Sequence, residues 1–397
     1  MDAPPATIIL LLSVDYVTSL RARPHHLAEF LLRKGTDVVV VFPRLLPPFG
    51  GASRLHKAWR FIRFILRERL VEVGSDRRLK TIGIMPLPLK AWLAPLQIGW
   101  LAVWSWLQLR HEDRSIVVSE GPLGGAVGST LRKLRLVRTH IYEDLDYFAG
   151  FYHGSDARMI EAIESWIVRS ADGIVVVSQE LKALREGKAR RAPLVVPNGV
   201  DLRLFGASPD CPATAEPILI FVGAIESWTG VEFSLRALAI VARTLPGVRY
   251  LIVGPGDTDR LRKLASVMAI EEHTILLGPK AKTELPHILR QARVGLAPFE
   301  PSLLMHYAFT LKVIEYMAAG LPVIGTDIGA TGRVIKESGA GIACRHDVAE
   351  FARAIENVLT DDHRYAEMRR NALRYAQQYD WEQLLEPEWK FILDTRR

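Results

Sequence analysis

Apolar residues in this chain come in short, unbroken runs rather than in alternation with polar ones. "TIILLLSV", "DVVVVFP", "SIVVSEG", "THIYEDL" and "DGIVVVS" are each of strand length. The segments between them carry helical spacing, as in "RPHHLAEFLLRKG", whose glycine marks a helix end. Strands apolar along their whole length and separated by helices predict a parallel sheet covered on both faces. The alternation breaks at "GASPDCPATAEP", which reads as a linker, and restarts with "ILIFVGA", a helix from about Val231 to Leu245, "RYLIVGPG", "TILLGP", "VGLAPF", "LKVIEYMAAG" and "LPVIGTD". The pattern predicts two doubly wound α/β domains in series, with ligands at the carboxyl ends of the strands.

One region departs from this rhythm. Arg54–Leu70 places Arg54, Lys57, Arg60, Arg63 and Arg67 on one side of a helix, and Leu55, Trp59, Ile62, Ile65 and Leu66 on the other. "LPLKAWLAPLQIGWLAVWSWLQL" follows, nearly uncharged and holding Trp92, Trp100, Trp104 and Trp106. Two readings stand: a core helix beside a solvated one, or a surface seated in a membrane interface. Pro95 and Gln97 interrupt the apolar run, which argues against a spanning helix.

Composition narrows the class. With 397 residues, 49% hydrophobic and 24% charged, the chain is globular and long enough for two cores. Cys211 and Cys344 make neither a disulfide framework nor a zinc site, so a reducing cytoplasm is expected. The N-terminus has no basic leader, and its apolar run reads as a first buried strand. Residues 1–200 hold 28 Lys/Arg against 19 Asp/Glu, and the remainder 23 against 25. The positive excess therefore lies in the first half, which implies an anionic partner there.

"THIYEDLDYFAGFY" gathers Glu143, Asp144 and Asp146 behind an apolar run. Those acids read equally as ligands of a divalent metal, as a proton acceptor in catalysis, or as solvated surface. Two further stretches follow strands. "SEGPLGG" places Ser119, Glu120 and Gly121 in either an acceptor-side loop or a structural turn, and "RARPHH" brings Arg23 and His25 to the carboxyl edge of the first sheet.

"VVPNGVDLRLF", "ILIFVGAIESWTGVEFSLRALAIV", "YLIVGPG", "ILLGPKAKTELPHILRQARVGLAPF" and "LKVIEYMAAGLPVIGTD", in that order, resemble nucleotide-sugar glycosyltransferases of the GT-B fold. The resemblance covers roughly residues 115–395 and is nearest to bacterial exopolysaccharide glucuronosyltransferases of the xanthan type. More broadly it extends to the large retaining family 4. It implies two Rossmann-like domains facing across a cleft: residues 1–203 for the acceptor, 204–376 for the nucleotide sugar, and helices over 377–397 packing back on the first domain. It also implies donor contacts at Lys312 for the diphosphate and Glu315 for ribose hydroxyls. Gly223, Phe299 and Tyr307 are expected nearby, and "GPKAK" resembles the loop whose backbone reads the base, with Lys280 the candidate there. Family 4 enzymes often carry a glutamate eight residues before the one at 315; here that place is Tyr307.

The same resemblance bears on the acidic stretch. In GT-A transferases an Asp-x-Asp pair binds a metal, but here Lys312 and a helix start already meet the diphosphate, so no metal or other cofactor is expected. An inverting transfer still needs a base. Aligning the xanthan-type pattern on Tyr142 brings its catalytic Asp onto Asp146, with Asp144 second. The expected reaction is transfer of a sugar, glucuronic acid foremost, from a UDP-sugar to a lipid-linked or polymeric saccharide in bacterial cell-surface polysaccharide synthesis. The enzyme is expected in the cytoplasm, on the inner face of the plasma membrane, with Arg60 and Arg63 toward anionic lipid. Competing readings are a retaining family-4-type hexosyltransferase and a non-enzymatic nucleotide-sugar or nucleic-acid binder. No RNA-recognition motif supports the last.

Overall fold

The computed structural model describes residues 7–17, 22–44, 71–76, 78–84, 86, 93–109, 116–207, 214 and 216–396. The apolar runs become strands β1 (Thr7–Leu11), β2 (Asp37–Pro43), β5 (Ile116–Glu120), β6 (Thr139–Asp144) and β7 (Gly173–Val176). With β3 (Val71–Asp76), β4 (Leu79–Ile84) and β8 (Leu194–Val195) they form a sheet of order β3-β4-β2-β1-β5-β6-β7-β8. Every pairing is parallel except β3 with β4. The antiparallel edge was not expected. A two-residue reversal between Asp76 and Leu79 allows a hairpin, whereas a parallel neighbour would need a long crossover.

The second sheet holds β9 (Ile218–Val222), β10 (Arg249–Val253), β11 (Thr274–Gly278), β12 (Val294–Ala297), β13 (Val323–Thr326) and β14 (Gly341–Cys344) in the order β11-β10-β9-β12-β13-β14, all parallel. Counted within the sheet this is 3-2-1-4-5-6, the doubly wound order of dinucleotide-binding folds. The parallel strands of the first sheet follow the same order, with β8 added as a seventh at the edge. The order reverses between β1 and β5 in one sheet and between β9 and β12 in the other, and there neighbouring connections leave on opposite faces and open a crevice.

Two cores carry the sheets. Ile9, Leu11, Val39, Val41, Ile82, Val117 and Val127 are buried in the first, with Leu101, Ala102 and Leu109 from helix Ala94–Leu109. Phe221, Leu235, Leu238, Tyr250, Leu296, Phe351 and Ile355 are buried in the second. Pro95 opens helix Ala94–Leu109 instead of interrupting it, since a first-turn proline loses no hydrogen bond. Trp100 and Trp104 pack against the core, while Leu96, Val103 and Trp106 are 60%, 55% and 37% exposed. No helix among the described residues is long and apolar enough to cross a membrane. The basic segment Arg54–Leu70, with Arg60 and Arg63, lies outside the described residues.

The chain divides into two compact units. One comprises 1–177, 181–196 and 385–397; the other comprises 178–180 and 197–384. The division falls at Val196/Pro197, ahead of the 203/204 expected, and the return lies inside helix Trp381–Thr395, at Leu384/Leu385. The loose "GASPDCPATAEP" stretch therefore follows the first crossing and is not itself the boundary. Residues 197–205 belong with the second unit because they are already tied there: Val200 bridges Asp380, and the Asn198 amide donates to the Phe309 carbonyl at 3.2 Å.

Candidate functional site

At the reversal point of the second sheet β9 and β12 pair only through Leu219 and Ile220, then diverge. The N–H of Val222 thereby has no partner on β12, and it donates instead to the Tyr316 hydroxyl at 2.7 Å. Gly295, on β12, leaves room for that ring, because a β-carbon there would collide with it. Tyr316 thus pins helix Leu311–Ala318 to the carboxyl end of β9. It brings the helix start, where Thr310 caps with no side-chain hydrogen bond, to the strand ends. Uncapped first-turn N–H groups form a ready anion site.

Lys312 lies in that first turn. Its ammonium stands 4.1 Å from the centre of the Phe221 ring and 5.1 Å from that of Phe299. It also abuts Gly223, whose φ of 150° and missing side chain leave the space the ammonium occupies. Burial holds the Lys312 pKa down at about 7, against the opposing pull of Glu315. An incoming diphosphate would restore its charge, so the lysine is poised for an anion.

Glu315, three residues on, is 13% exposed, and its Oε1 lies 3.6 Å from the Lys282 ammonium. Burial raises the Glu315 pKa, with Lys282 and then Lys312 opposing. The structure thus brings together Gly223, Phe299, Lys312 and Glu315. Of the lysines in "GPKAK", it is Lys282 that meets Glu315, while Lys280 is exposed. Spacing gave no means of choosing between them. Tyr307 ends helix Leu303–Tyr307, where its carbonyl accepts from the Ser178 hydroxyl at 2.7 Å.

In the first unit the three acids of β6 and its continuation part ways. Asp144 is fully buried, and Arg185 spans it at 2.6 Å while reaching Glu164 at 3.2 Å. An acid so enclosed and paired ties β6 to helices Gln179–Arg185 and Gly154–Ser170, a structural task rather than that of a base. Glu143 is buried against Arg23, which also pairs with Glu388 and donates to the Val196 carbonyl at 3.0 Å. Asp146, two residues past β6, is partly exposed. Burial, and then the neighbouring Asp144 charge, push its pKa up to about 7.

The remaining candidates are mostly structural. Arg23, 2% exposed, is occupied by Glu143 and Glu388. His25 closes its own helix start: Nδ1 accepts from Ala22 N–H at 3.3 Å, Nε2 pairs with the Tyr16 carbonyl at 2.9 Å, and the ring stacks on Tyr16. Ser119 is buried against His140 Nε2 at 2.7 Å. The "SEGPLGG" stretch is not a loop, because helix Gly121–Lys133 begins directly after β5. Ser13 makes that possible. Its Oγ accepts from Leu123 N–H at 3.1 Å and Gly124 N–H at 2.9 Å, and donates to the Glu120 carbonyl at 2.7 Å. No local sequence signal exposes a cap supplied from the bend after β1. Glu120 itself remains at the reversal point between β1 and β5.

The family model described as glycosyl transferases group 1 matches residues 216–361, and that of glycosyltransferase family 4 matches residues 23–204. The chain is a GT-B glycosyltransferase. Glycogen synthase of Mycobacterium tuberculosis is 26% identical to this transferase over 98% of its chain and 95% of the relative. Among solved structures, sucrose-phosphate synthase of Thermosynechococcus elongatus superposes with a TM-score of 0.78 at 19% identity, covering 98% of this chain and 99% of that one. The Anabaena protein HepE, in complex with UDP-glucose, superposes at 0.69 and 17% identity, over 98% and 99%. The two matched families fall on the two sheets, so both halves of the transferase have counterparts of the same fold.

Proposed function

We propose that this glycosyltransferase takes a uridine diphosphate sugar as donor and transfers the sugar with inversion to a saccharide acceptor. The observation that carries the donor reading is the Lys312 ammonium, held over Phe221 and Phe299 against Gly223 at an uncapped helix start, with Glu315 one turn away. A cation and free N–H groups meet the charge that grows on the leaving diphosphate. A carboxylate beside them accepts from ribose hydroxyls.

Asp146 is the base of the reading. Its carboxylate takes the proton of the acceptor hydroxyl, and the oxygen bonds to the anomeric carbon. The bond from that carbon to the β-phosphate oxygen breaks, and its electron pair leaves on UDP. A base with a pKa near 7 is matched to this work at neutral pH. Glucuronic acid is the sugar that the xanthan-type resemblance favours. The basic first half of the chain and the exposed Leu96, Val103 and Trp106 on one helix support a lipid-linked acceptor at an anionic membrane, within bacterial cell-surface polysaccharide synthesis.

A second reading, retaining hexosyl transfer to a polymer, is supported by the family 4 match over residues 23–204 and by the glycogen synthase relative. Tyr307 in place of the earlier family 4 glutamate speaks for the first reading. A screen of nucleotide sugars for UDP release with a polyprenyl-linked acceptor, followed by NMR of the product anomer, separates the two. Inverted configuration supports the Asp146 mechanism; retained configuration overturns it. Co-sedimentation with anionic vesicles at low salt tests the membrane part, and protein left in the supernatant would remove it.

A further inference from the structure

The register of the first sheet sets Glu120 directly beside Glu143 on the adjacent strand. Among the described residues one guanidinium, Arg23, serves this neighbourhood, and both Glu143 and Glu388 hold it. Glu120 is thus a third acid around a single cation, and Asp146 adds a further negative charge within electrostatic reach. The Oε2 of Glu120 is closed off from solvent and has no hydrogen-bond partner among the described residues. Nor is the residue free to turn away. Its carbonyl is held by the Ser13 hydroxyl, and Gly121 follows at a φ of 67°, where a β-carbon would collide with Ser13.

We infer that Glu120 is an acceptor-binding residue: it presents a carboxylic O–H, rather than a charge, to an oxygen of the acceptor sugar next to the hydroxyl that Asp146 deprotonates. The inference rests on the reading of Asp146 as base. A half-buried carboxyl whose Oε2 is sealed, with no donor among the described residues and two acidic neighbours, keeps its proton, because ionising it would leave an uncompensated charge. Its pKa stands at about 8, raised by burial and then by Glu143, with Arg23 opposing and Asp146 adding to the rise. Asp146 stands at about 7. Between those values one carboxyl of the pair is a base and the other a donor, the separation of roles that unequal environments give to paired acids. A charge at 120 would repel the alkoxide forming on the acceptor; a donor stabilises it.

Steady-state kinetics at saturating donor, with acceptor varied from neutral to alkaline pH, test this on Glu120→Gln and Glu120→Ala. In the wild type the acceptor KM should rise as pH passes about 8. Glu120→Gln, which keeps a donor that does not ionise, should bind acceptor like the wild type at neutral pH and lose the alkaline rise. Glu120→Ala should raise the acceptor KM on the order of ten-fold below pH 8, with no further alkaline rise. Glu120→Gln as impaired as Glu120→Ala at neutral pH would overturn the inference. Isotope-edited infrared spectra give a readout apart from activity. A protonated-carboxyl band at neutral pH that disappears in Glu120→Gln supports the assignment, and an unchanged spectrum overturns it. Unaltered UDP affinity and circular dichroism certify that the variants fold. Full activity in Asp146→Asn would remove the base while leaving the infrared result to decide on Glu120.

Discussion

The ammonium of Lys312 stands where a side chain on Gly223 would have to go. A β-carbon on that glycine would collide with Lys312 Nζ, and the φ of 150° is a conformation that L side chains rarely adopt. The glycine after β9 and the lysine in the first turn of helix Leu311–Ala318 therefore share one space, and a side chain at 223 would displace the ammonium. Gly223→Ala should displace the ammonium and raise the donor KM by on the order of ten-fold, a lost charge-assisted hydrogen bond. Fluorescence-monitored UDP binding checks it; wild-type affinity in the variant would separate Lys312 from the donor.

If Lys312 meets the diphosphate as proposed, nucleotide binding is a proton-linked event. In the free enzyme the Lys312 pKa is near 7, held down by burial, and two phosphates would raise it. Above pH 7 the bound form then holds a proton that the free form lacks. UDP binding should take up protons on the alkaline side, with affinity falling by up to about ten-fold per pH unit. Calorimetry in buffers of different ionisation enthalpy measures the uptake directly; identical heats in all buffers would contradict it.

Asp146 predicts the opposite limb. Its carboxyl must be ionised to accept a proton and titrates at about 7, so kcat should fall as pH drops below that value. Asp146→Asn should lower kcat by about 10²–10⁴-fold with little change in donor KM. Stopped UDP-release assays against pH check both, and a variant with wild-type kcat would show that no base acts there.

Arg185 is a stability prediction. Among the described residues it pairs with both Asp144 and Glu164, and the burial that raises the Asp144 and Glu164 pKa values is countered in each case by this guanidinium. Arg185→Met leaves two buried acids without their cation and should cost about 3–5 kcal/mol in urea unfolding. A loss under about 1 kcal/mol would mean that the acids find other partners or stay neutral at little expense.

The strands were legible because burial on both faces makes their sequences apolar throughout, as in "DVVVVFP" and "ILIFV". The helix carrying Lys312 and Glu315 was legible because its phrase "LKVIEYMAAG" is long and apolar on one face. What sequence did not show depends on partners distant along the chain. His25 is consumed by Tyr16 and its own helix start, and Arg23 by Glu143 and by Glu388 at the far end of the chain. Asp144 and Asp146 differ by two positions, yet only the structure shows that the first is paired with Arg185 and the second is partly open. Ser13 caps a helix more than 100 residues away, and the pairing of Lys282 with Glu315 joins a loop and a helix 33 residues apart.

The most direct test is a calorimetric titration of UDP into the wild type and Lys312→Met at neutral pH, with Arg185-dependent stability unchanged as the fold control. The account predicts that affinity drops by roughly 10–100-fold, the worth of one charge-assisted contact to phosphate. Equal affinity in the two proteins would contradict it, and would mean that the nucleotide is held elsewhere than on helix Leu311–Ala318.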